Sequence, residues 1–473
     1  MRRVRHWRRL LIVLAVIGCG FGVYWWGVSY FAWQRALKAA GLEGEMAPPG
    51  RGERVLVVAP HPDDESLGCA GLIKQGIENG ADVHVLVMTN GDANEWAVVF
   101  GERELPWNPR NMISMGETRQ AESRRAMEAL GLPPDHLYFL GYPNNGLVTL
   151  WRPEHWLHSD RYRSPYTHAD RSPYATSMTP GAAYCGEQVF SDVLSVLTRV
   201  QPSRIYVTHP RDVHPDHWAT NAFVSYALAT AAMRGAEWAK TAQLWGYLVH
   251  WPRYPAPMRS RPGLDLLPPP ELSGGGAPWY RLELTQEQVT LKMAAVRTYR
   301  SQEPWFDRLM LTFPRQDEIF EALPVTQSTG SLSWQDIKGH RRSMGGAEVK
   351  GLRLDIGGDL MARAELTTTA KRIPSRGYIC LDLRTWNAKL SPVITTLYIR
   401  DREVTAFRLE GEAEPRRVLA KVQTKLGEVV VSRLPLPAGS LARQEMLVVC
   451  YGSVNDRQTA TAVIERVRFA EGR

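Results

Sequence analysis

Cysteine is scarce in this chain of 473 residues: Cys19, Cys69, Cys185, Cys380 and Cys450 are all there are, and none has CxxC spacing. That excludes a cysteine-built metal or redox motif, so any metal must rest on His, Asp or Glu. In an oxidising compartment Cys380 and Cys450 can pair, and buried free thiols fit the spacing equally well. Positive charge is also thin outside one place. Five of the eight excess positive charges are Arg2, Arg3, Arg5, Arg8 and Arg9, and the few left over exclude a nucleic-acid binder. No internal repeat is found, and no GxGxxG follows the first strand-like run, which excludes the dinucleotide fingerprint. What is present, 44% hydrophobic and 22% charged residues, is the composition of globular protein, long enough for two folded domains.

After the arginines, 10–33 is almost uninterrupted apolar sequence. At a rise of about 1.5 Å per residue such a run is long enough to cross a bilayer core, and a buried core helix is its other reading. The expectation is a single-pass inner-membrane anchor. The arginines stay in the cytoplasm, Trp25, Trp26, Tyr30 and Trp33 mark the outer interface, and the rest of the chain lies extracytoplasmic, in the periplasm. Val16-Ile17-Gly18-Cys19 resembles a lipobox, but the continued apolar sequence from Phe21 suits an uncleaved anchor better.

The expected organisation is a basic tip and transmembrane helix over 1–33, a linker over 34–52, an α/β domain over 53–325, a second linker over 326–344, and a β-sandwich-like domain over 345–473. Strand and helix signals alternate in the α/β part, implying a Rossmann-like parallel sheet with helices on both faces. Strands are predicted at 54–59, 83–89, 136–140, 204–208 and 244–249, and helices at 116–131, 187–200, 218–238 and 285–301. Two aperiodic segments, about 92–115 and 142–185, carry Trp96, Trp107, Trp151, Trp156, Tyr162 and Tyr166. They are candidate loops over the site, or aromatic loops packed on their own domain. In 345–473 alternating runs such as 393–399 and 428–433 predict antiparallel strands.

Two clusters carry chemistry. His61-Pro62-Asp63-Asp64-Glu65 follows the apolar run 54–59, and His209-Pro210-Arg211-Asp212-Val213-His214-Pro215-Asp216-His217 follows 204–208. Two strand ends can thus deliver His and Asp to one point. A hydrolytic zinc site uses three protein ligands and keeps a position for water. His61, Asp64 and His217 can supply that set. Asp63 can take the proton from the water, His214 can stabilise the oxyanion or protonate the departing amine, and Asp216 can orient or charge-balance His214. Arg119 can contact substrate, or pair with Glu122 or a neighbouring carboxylate.

These residues, in this order, resemble the PIG-L/LmbE-like family of zinc-dependent N-acetylglucosaminyl deacetylases. Further similar runs are Thr89-Asn90-Gly91-Asp92, Arg119-Gln120-Ala121-Glu122, Phe139-Leu140-Gly141-Tyr142-Pro143, and Lys292 through Gln302, so that the resemblance covers most of 54–302. It implies one zinc ion per chain held by His61, Asp64 and His217, with Asp63 as general base and His214 as the catalytic histidine. Asn90 and Arg119 are then the substrate-binding candidates. The chain departs from the pattern at Asn144, where aspartate is common, and in its long aromatic insertions. The function so implied is a membrane-anchored de-N-acetylase acting on N-acetylglucosamine-type residues of an extracytoplasmic glycan, glycolipid or glycoconjugate. A catalytically inactive, tethered glycan-binding scaffold and a zinc amidase on a non-sugar amide are the other readings.

Overall fold

The structure is a computed structural model that describes residues 42–93, 108–273, 278–302, 307–334 and most of 349–469, with residues 20, 24, 27, 28 and 30–38 ahead of them. Among the described residues its first half is built on eight strands with helices between them, besides the four-residue helix Asp307–Met310. In chain order they are β1 (Leu42–Glu45), β2 (Arg54–Ala59), α1 (Asp64–Glu78), β3 (Asp82–Thr89), α2 (Pro109–Leu130), β4 (Leu137–Tyr142), α3 (Leu147–Trp151) and α4 (Gly186–Val200). Then come β5 (Arg204–Thr208), α5 (Pro215–Met233), α6 (Glu237–Thr241), β6 (Gln243–Tyr247), β7 (Trp279–Glu283), α7 (Gln286–Val296) and β8 (Asp317–Ala322).

The strands form one sheet in the order β1-β7-β8-β6-β5-β2-β3-β4. Strands β6, β5, β2, β3 and β4 run parallel. Strand β8 runs antiparallel to both β6 and β7. The expected parallel sheet is therefore corrected to a mixed one, extended at one side by β1 from the segment expected as a linker, which pairs parallel with β7. Strand β2 shows why both faces are covered: Leu56 and Val58 enter one core with α4 and α5, while Val55, Val57 and Ala59 enter the other with α1 and α7. A strand buried on both sides reads as a continuous apolar run, as this one does.

The N-terminal transmembrane helix, and with it the inner-membrane, periplasmic placement, is corrected. Among the described residues no helix is long and apolar enough to cross a membrane, and most of 10–33 lies outside the described residues.

The second half is β-rich. Strands β9 (Thr326–Ser328), β10 (Ser331–Trp334), β11 (Val349–Ile356), β12 (Met361–Thr368), β13 (Gly377–Trp386), β14 (Pro392–Ile399), β15 (Val404–Glu410), β16 (Arg416–Val418), β17 (Lys421–Lys425), β18 (Glu428–Pro435), β19 (Glu445–Val454), β20 (Arg457–Gln458) and β21 (Val463–Phe469) divide between two sheets. One runs β10-β11-β12-β18-β17, the other β16-β15-β14-β13-β19-β21-β9, with β20 beside β19. Leu352, Leu354 and Val431 of the first meet Leu381, Leu383 and Val448 of the second in a common core. The second sheet is buried on its other face too, because Tyr378, Trp386, Tyr398 and Tyr451 join the core around α5. Cys380 and Cys450 are free and buried. They face opposite sides of this sheet, since Leu381 and not Cys380 stands opposite Cys450 and neighbouring residues alternate.

Candidate metal centre

Strand β2 is the point where the parallel order reverses: β3 lies on one side of it and β5 on the other. Crevices at the carboxyl ends of such strands are where open α/β sheets bind ligands. Both histidine clusters leave the sheet there. His61 Nδ1 lies 3.1 Å from Asp64 Oδ2, His217 Nε2 lies 3.2 Å from the same oxygen, and His217 Nε2 and His61 Nδ1 are 3.3 Å apart. All three side chains are buried. The other carboxylate oxygen of Asp64, Oδ1, is buried with no hydrogen-bond partner. An unsatisfied buried carboxylate oxygen costs free energy unless a cation or donor meets it, so this donor set fits a divalent ion.

Charge around the centre points the same way. Burial opposes charging of His217, but Asp212 and Asp64 outweigh it and hold the imidazole up at about 10. Burial also opposes the Asp64 carboxylate, and His217 and His61 hold it well below its usual range. The carboxylates thus attract a positive charge to the His217 ring, a charge that an ion can supply in place of a proton. Asp212 Oδ2 stands 3.1 Å from His217 Nδ1 and accepts the backbone N–H groups of Val249 and His250 at 3.0 and 2.8 Å. Such an outer carboxylate fixes the ring so that Nε2 faces the centre.

Asp63 follows His61 by two residues and adopts φ +130, a conformation that L side chains rarely take. Its N–H donates to Glu65 Oε2 at 3.0 Å, and Glu65 is pinned by the Ser123 hydroxyl at 2.5 Å and the Tyr299 hydroxyl at 2.6 Å. Arg119 Nη2 donates to Asp63 Oδ2 at 3.0 Å and to the Pro62 carbonyl at 2.7 Å, and Nη1 donates to the Gly91 carbonyl at 3.1 Å. Gly91 has φ +66, and a Cβ there would stand 1.9 Å from Nη1, so only glycine lets the guanidinium in. Burial pushes the Asp63 carboxyl up to about 7, with Arg119 pulling the other way.

His214 is the N-cap of α5, its Nδ1 accepting the N–H of Asp216 at 3.2 Å. That bond leaves the proton of the neutral ring on Nε2. Burial and the neighbouring His61 and His217 hold the ring well below its usual pKa. The rings of His61 and His217 are 4.7 and 4.9 Å away.

The structure therefore brings His61, Asp63, Asp64, His214, Asp216 and His217 together, but with one change in contacts. The Asp216 carboxylate does not lie on His214. It sits 3.3 Å from His61 Nε2 and accepts the N–H groups of Asn145 and Leu147 at 2.6 and 3.1 Å. Arg119 pairs with Asp63, while Glu122 takes the N–H and hydroxyl of Ser301. Asn90 is fully buried behind them, its Oδ1 held by Gln120 at 3.0 Å. Two residues escaped the sequence reading. Asp212 lay inside the second cluster without a role. His250 comes from beyond the end of β6, its ring 4.7 Å from His217, and it forms a possible ligand group with Asp64 and His217, as His214 does with His61 and His217. A lone histidine after a strand gives no signal in sequence; only the fold brings it here.

Residues 56–228 match the family described as PIG-L, GlcNAc-PI de-N-acetylase. A 1D-myo-inositol 2-acetamido-2-deoxy-alpha-D-glucopyranoside deacetylase of Mycobacterium sp. (strain KMS) is 31% identical over 210 residues, 43% of this chain and 57% of that protein. The protein of the same description from Kineococcus radiotolerans is 30% identical over 199 residues, 41% of this chain and 49% of that protein. The chain spans about half the length of the curated relatives it matches. Among solved structures, N,N'-diacetylchitobiose deacetylase from Pyrococcus horikoshii is 18% identical and covers 64% of this chain and 92% of its own, at a TM-score of 0.34. The stretch that matches the PIG-L family, 56–228, carries both histidine clusters.

Proposed function

We propose that the chain is a metal-dependent hydrolase that removes the N-acetyl group from an N-acetylglucosamine-type amino sugar and releases acetate, with zinc as its ion. The observation that carries this reading is the convergence of His61, Asp64 and His217, with the orphaned Asp64 oxygen, directly beside Asp63. The amino-sugar class is supported by the relatives, whose descriptions name a 2-acetamido-2-deoxy-glucopyranoside.

In this reading His61, Asp64 and His217 hold the ion, which when bound supplies a Lewis acid and eases deprotonation of water near neutral pH. Asp63 takes the proton of the attacking water, held in place by Arg119 and by the Glu65 contact to its backbone. His214 offers its Nε2 proton to the acetyl oxygen as negative charge gathers there, and the departing amine collects the proton lodged on Asp63. Asp212 and Asp216 fix the rings of His217 and His61. Arg119, bonded to Asp63, and the fully buried Asn90 behind it support the site from within.

Acetate release from a panel of N-acetylated amino-sugar conjugates tests the reading, with zinc, after chelation, and in Asp63→Asn. The expected outcome is metal-dependent release that falls by about 10²–10⁴ in the variant while metal stays bound. Undiminished turnover in Asp63→Asn removes that residue from the role, and full metal occupancy without release from any conjugate removes the substrate class.

A further inference from the structure

A charged side chain from the C-terminal half is buried where two halves of the molecule meet. Arg384 of β13 is fully enclosed, and a guanidinium taken out of water is costly unless it is paired and hydrogen-bonded. Its partners are few and specific. Nε donates to Asp382 Oδ2 at 2.8 Å, Nη2 donates to the carbonyl of Trp151, and the guanidinium carbon lies 3.5 Å from the centre of the Trp151 ring and 4.3 Å from that of Trp156. Asp382 is itself held by the Thr396 hydroxyl at 2.6 Å. A planar cation that stacks on indole while Nε meets a carboxylate and Nη2 a carbonyl is a task for arginine, not lysine.

Trp151 is the last residue of α3, a helix of five residues, too short to be stable by its own hydrogen bonds. The start of the same segment holds the Asp216 carboxylate through the N–H groups of Asn145 and Leu147, and Asp216 touches His61. An unbroken set of contacts therefore runs from Arg384 through the Trp151 carbonyl and ring, along α3, to Asp216 and the His61 ring. The C-terminal sheet also meets α5 directly along its length, from Trp218 against Tyr451 at 4.8 Å between ring centres to Tyr226 with the Thr385 carbonyl at 3.3 Å and Trp386 with Thr230 at 3.0 Å, and the route through Arg384 and α3 is separate from these.

We propose that Arg384 is a positioning residue for the metal centre: the C-terminal sheet, through Arg384 and α3, sets the place of the Asp216 carboxylate and hence of His61. The proposal rests on the metal-centre reading but not on the identity of the substrate.

The test is a double-mutant cycle in the full chain with Arg384→Met, Asp216→Asn and the pair, since only coupling distinguishes a relay from a packing defect. Zinc affinity is read by chelator competition, and the His61 imidazole signal by NMR of metal-free, histidine-labelled protein, assigned by its loss in His61→Gln. Arg384→Met is expected to keep the wild-type circular dichroism, weaken zinc about tenfold as loss of outer support typically does, and move the His61 signal. In the Asp216→Asn background it should do little more to either. Equal effects in both backgrounds, or a lowered melting temperature with affinity and the His61 signal unchanged, overturn the proposal. If Arg384→Met does not fold, Arg384→Lys carries the same cycle with the same criteria. A coupled cycle in a protein that releases no acetate would sink the deacetylase reading and leave the relay standing; a wild type that binds no zinc would sink the metal-centre reading and the proposal with it.

Discussion

At the scale of single residues, the proposed role of Asp63 as base makes it the group on which pH dependence turns. Burial raises its carboxyl to about 7, so the carboxylate needed as a base is lost as pH falls through that value. A bound cation adds positive charge nearby and lowers the midpoint. The rate of acetate release should therefore fall tenfold per pH unit on the acid side, with a midpoint at or below 7. Arg119→Met removes the charge that opposes protonation, so the same pH–rate profile should shift upward in that variant; a downward shift would contradict the pairing. Asp212→Asn keeps the size of the group but weakens its hold on His217 Nδ1, and zinc affinity measured by competition should drop about 10- to 100-fold. Both histidine clusters were legible in sequence, because histidine and aspartate directly after a buried strand are conspicuous. The proposed division of labour between Asp63 and Asp64 was not: it rests on a positive φ at Asp63 and on one carboxylate meeting Arg119 while the other meets His61 and His217.

Among the elements, most of the strands of the α/β sheet could be read to within two residues, since each is a short apolar run buried on both faces. Helix α2 is the instructive miss. Expected from 116, it begins at Pro109, where the Asn108 side chain accepts the N–H of Arg110 at 3.0 Å and proline occupies the first turn. That Asn-Pro start signal was present but hidden among aromatic residues that suggested a loop; 94–107, the remainder of that segment, lies outside the described residues. The segment 142–185 contains α3 and places Trp151 and Trp156 in the core, so those two aromatics pack the domain instead of lining a cleft. Helix α1 depends on a close approach. A Cβ on Gly68 would lie 2.3 Å from Tyr247 Cδ2, and Tyr247 is fixed by its hydroxyl bond to the Val58 carbonyl at 2.9 Å. Gly68→Ala should cost about 1–3 kcal/mol in denaturant unfolding, as overpacking of a closed core does.

For the molecule as a whole, composition led to the expectation of two folded domains and said nothing of how the first and second halves of the chain pack. Nothing in the alternating strands of the C-terminal half signals that one of its sheets is buried on both faces, because that burial is supplied by α5, distant in sequence. Every residue of α5 from Asp216 to Ala232 is buried, with Trp218 against Tyr451 at 4.8 Å and Tyr226 against Trp386 at 5.4 Å between ring centres. A chain ended at residue 344 would bare that face, an apolar patch of the kind that drives association. Such a truncation is expected to aggregate and to lose zinc binding, as seen by size-exclusion chromatography and metal analysis. A monomeric, metal-loaded truncation would show that the C-terminal sheets are dispensable to the fold.

The position of β1 has a practical consequence. Four strand spacings separate it from β5, which at about 4.8 Å each puts roughly 19 Å between that sheet edge and the strand bordering the crevice. An affinity handle or a surface linkage attached ahead of Leu42 enters the fold at this far edge, so immobilised protein should turn over substrate as freely as protein in solution.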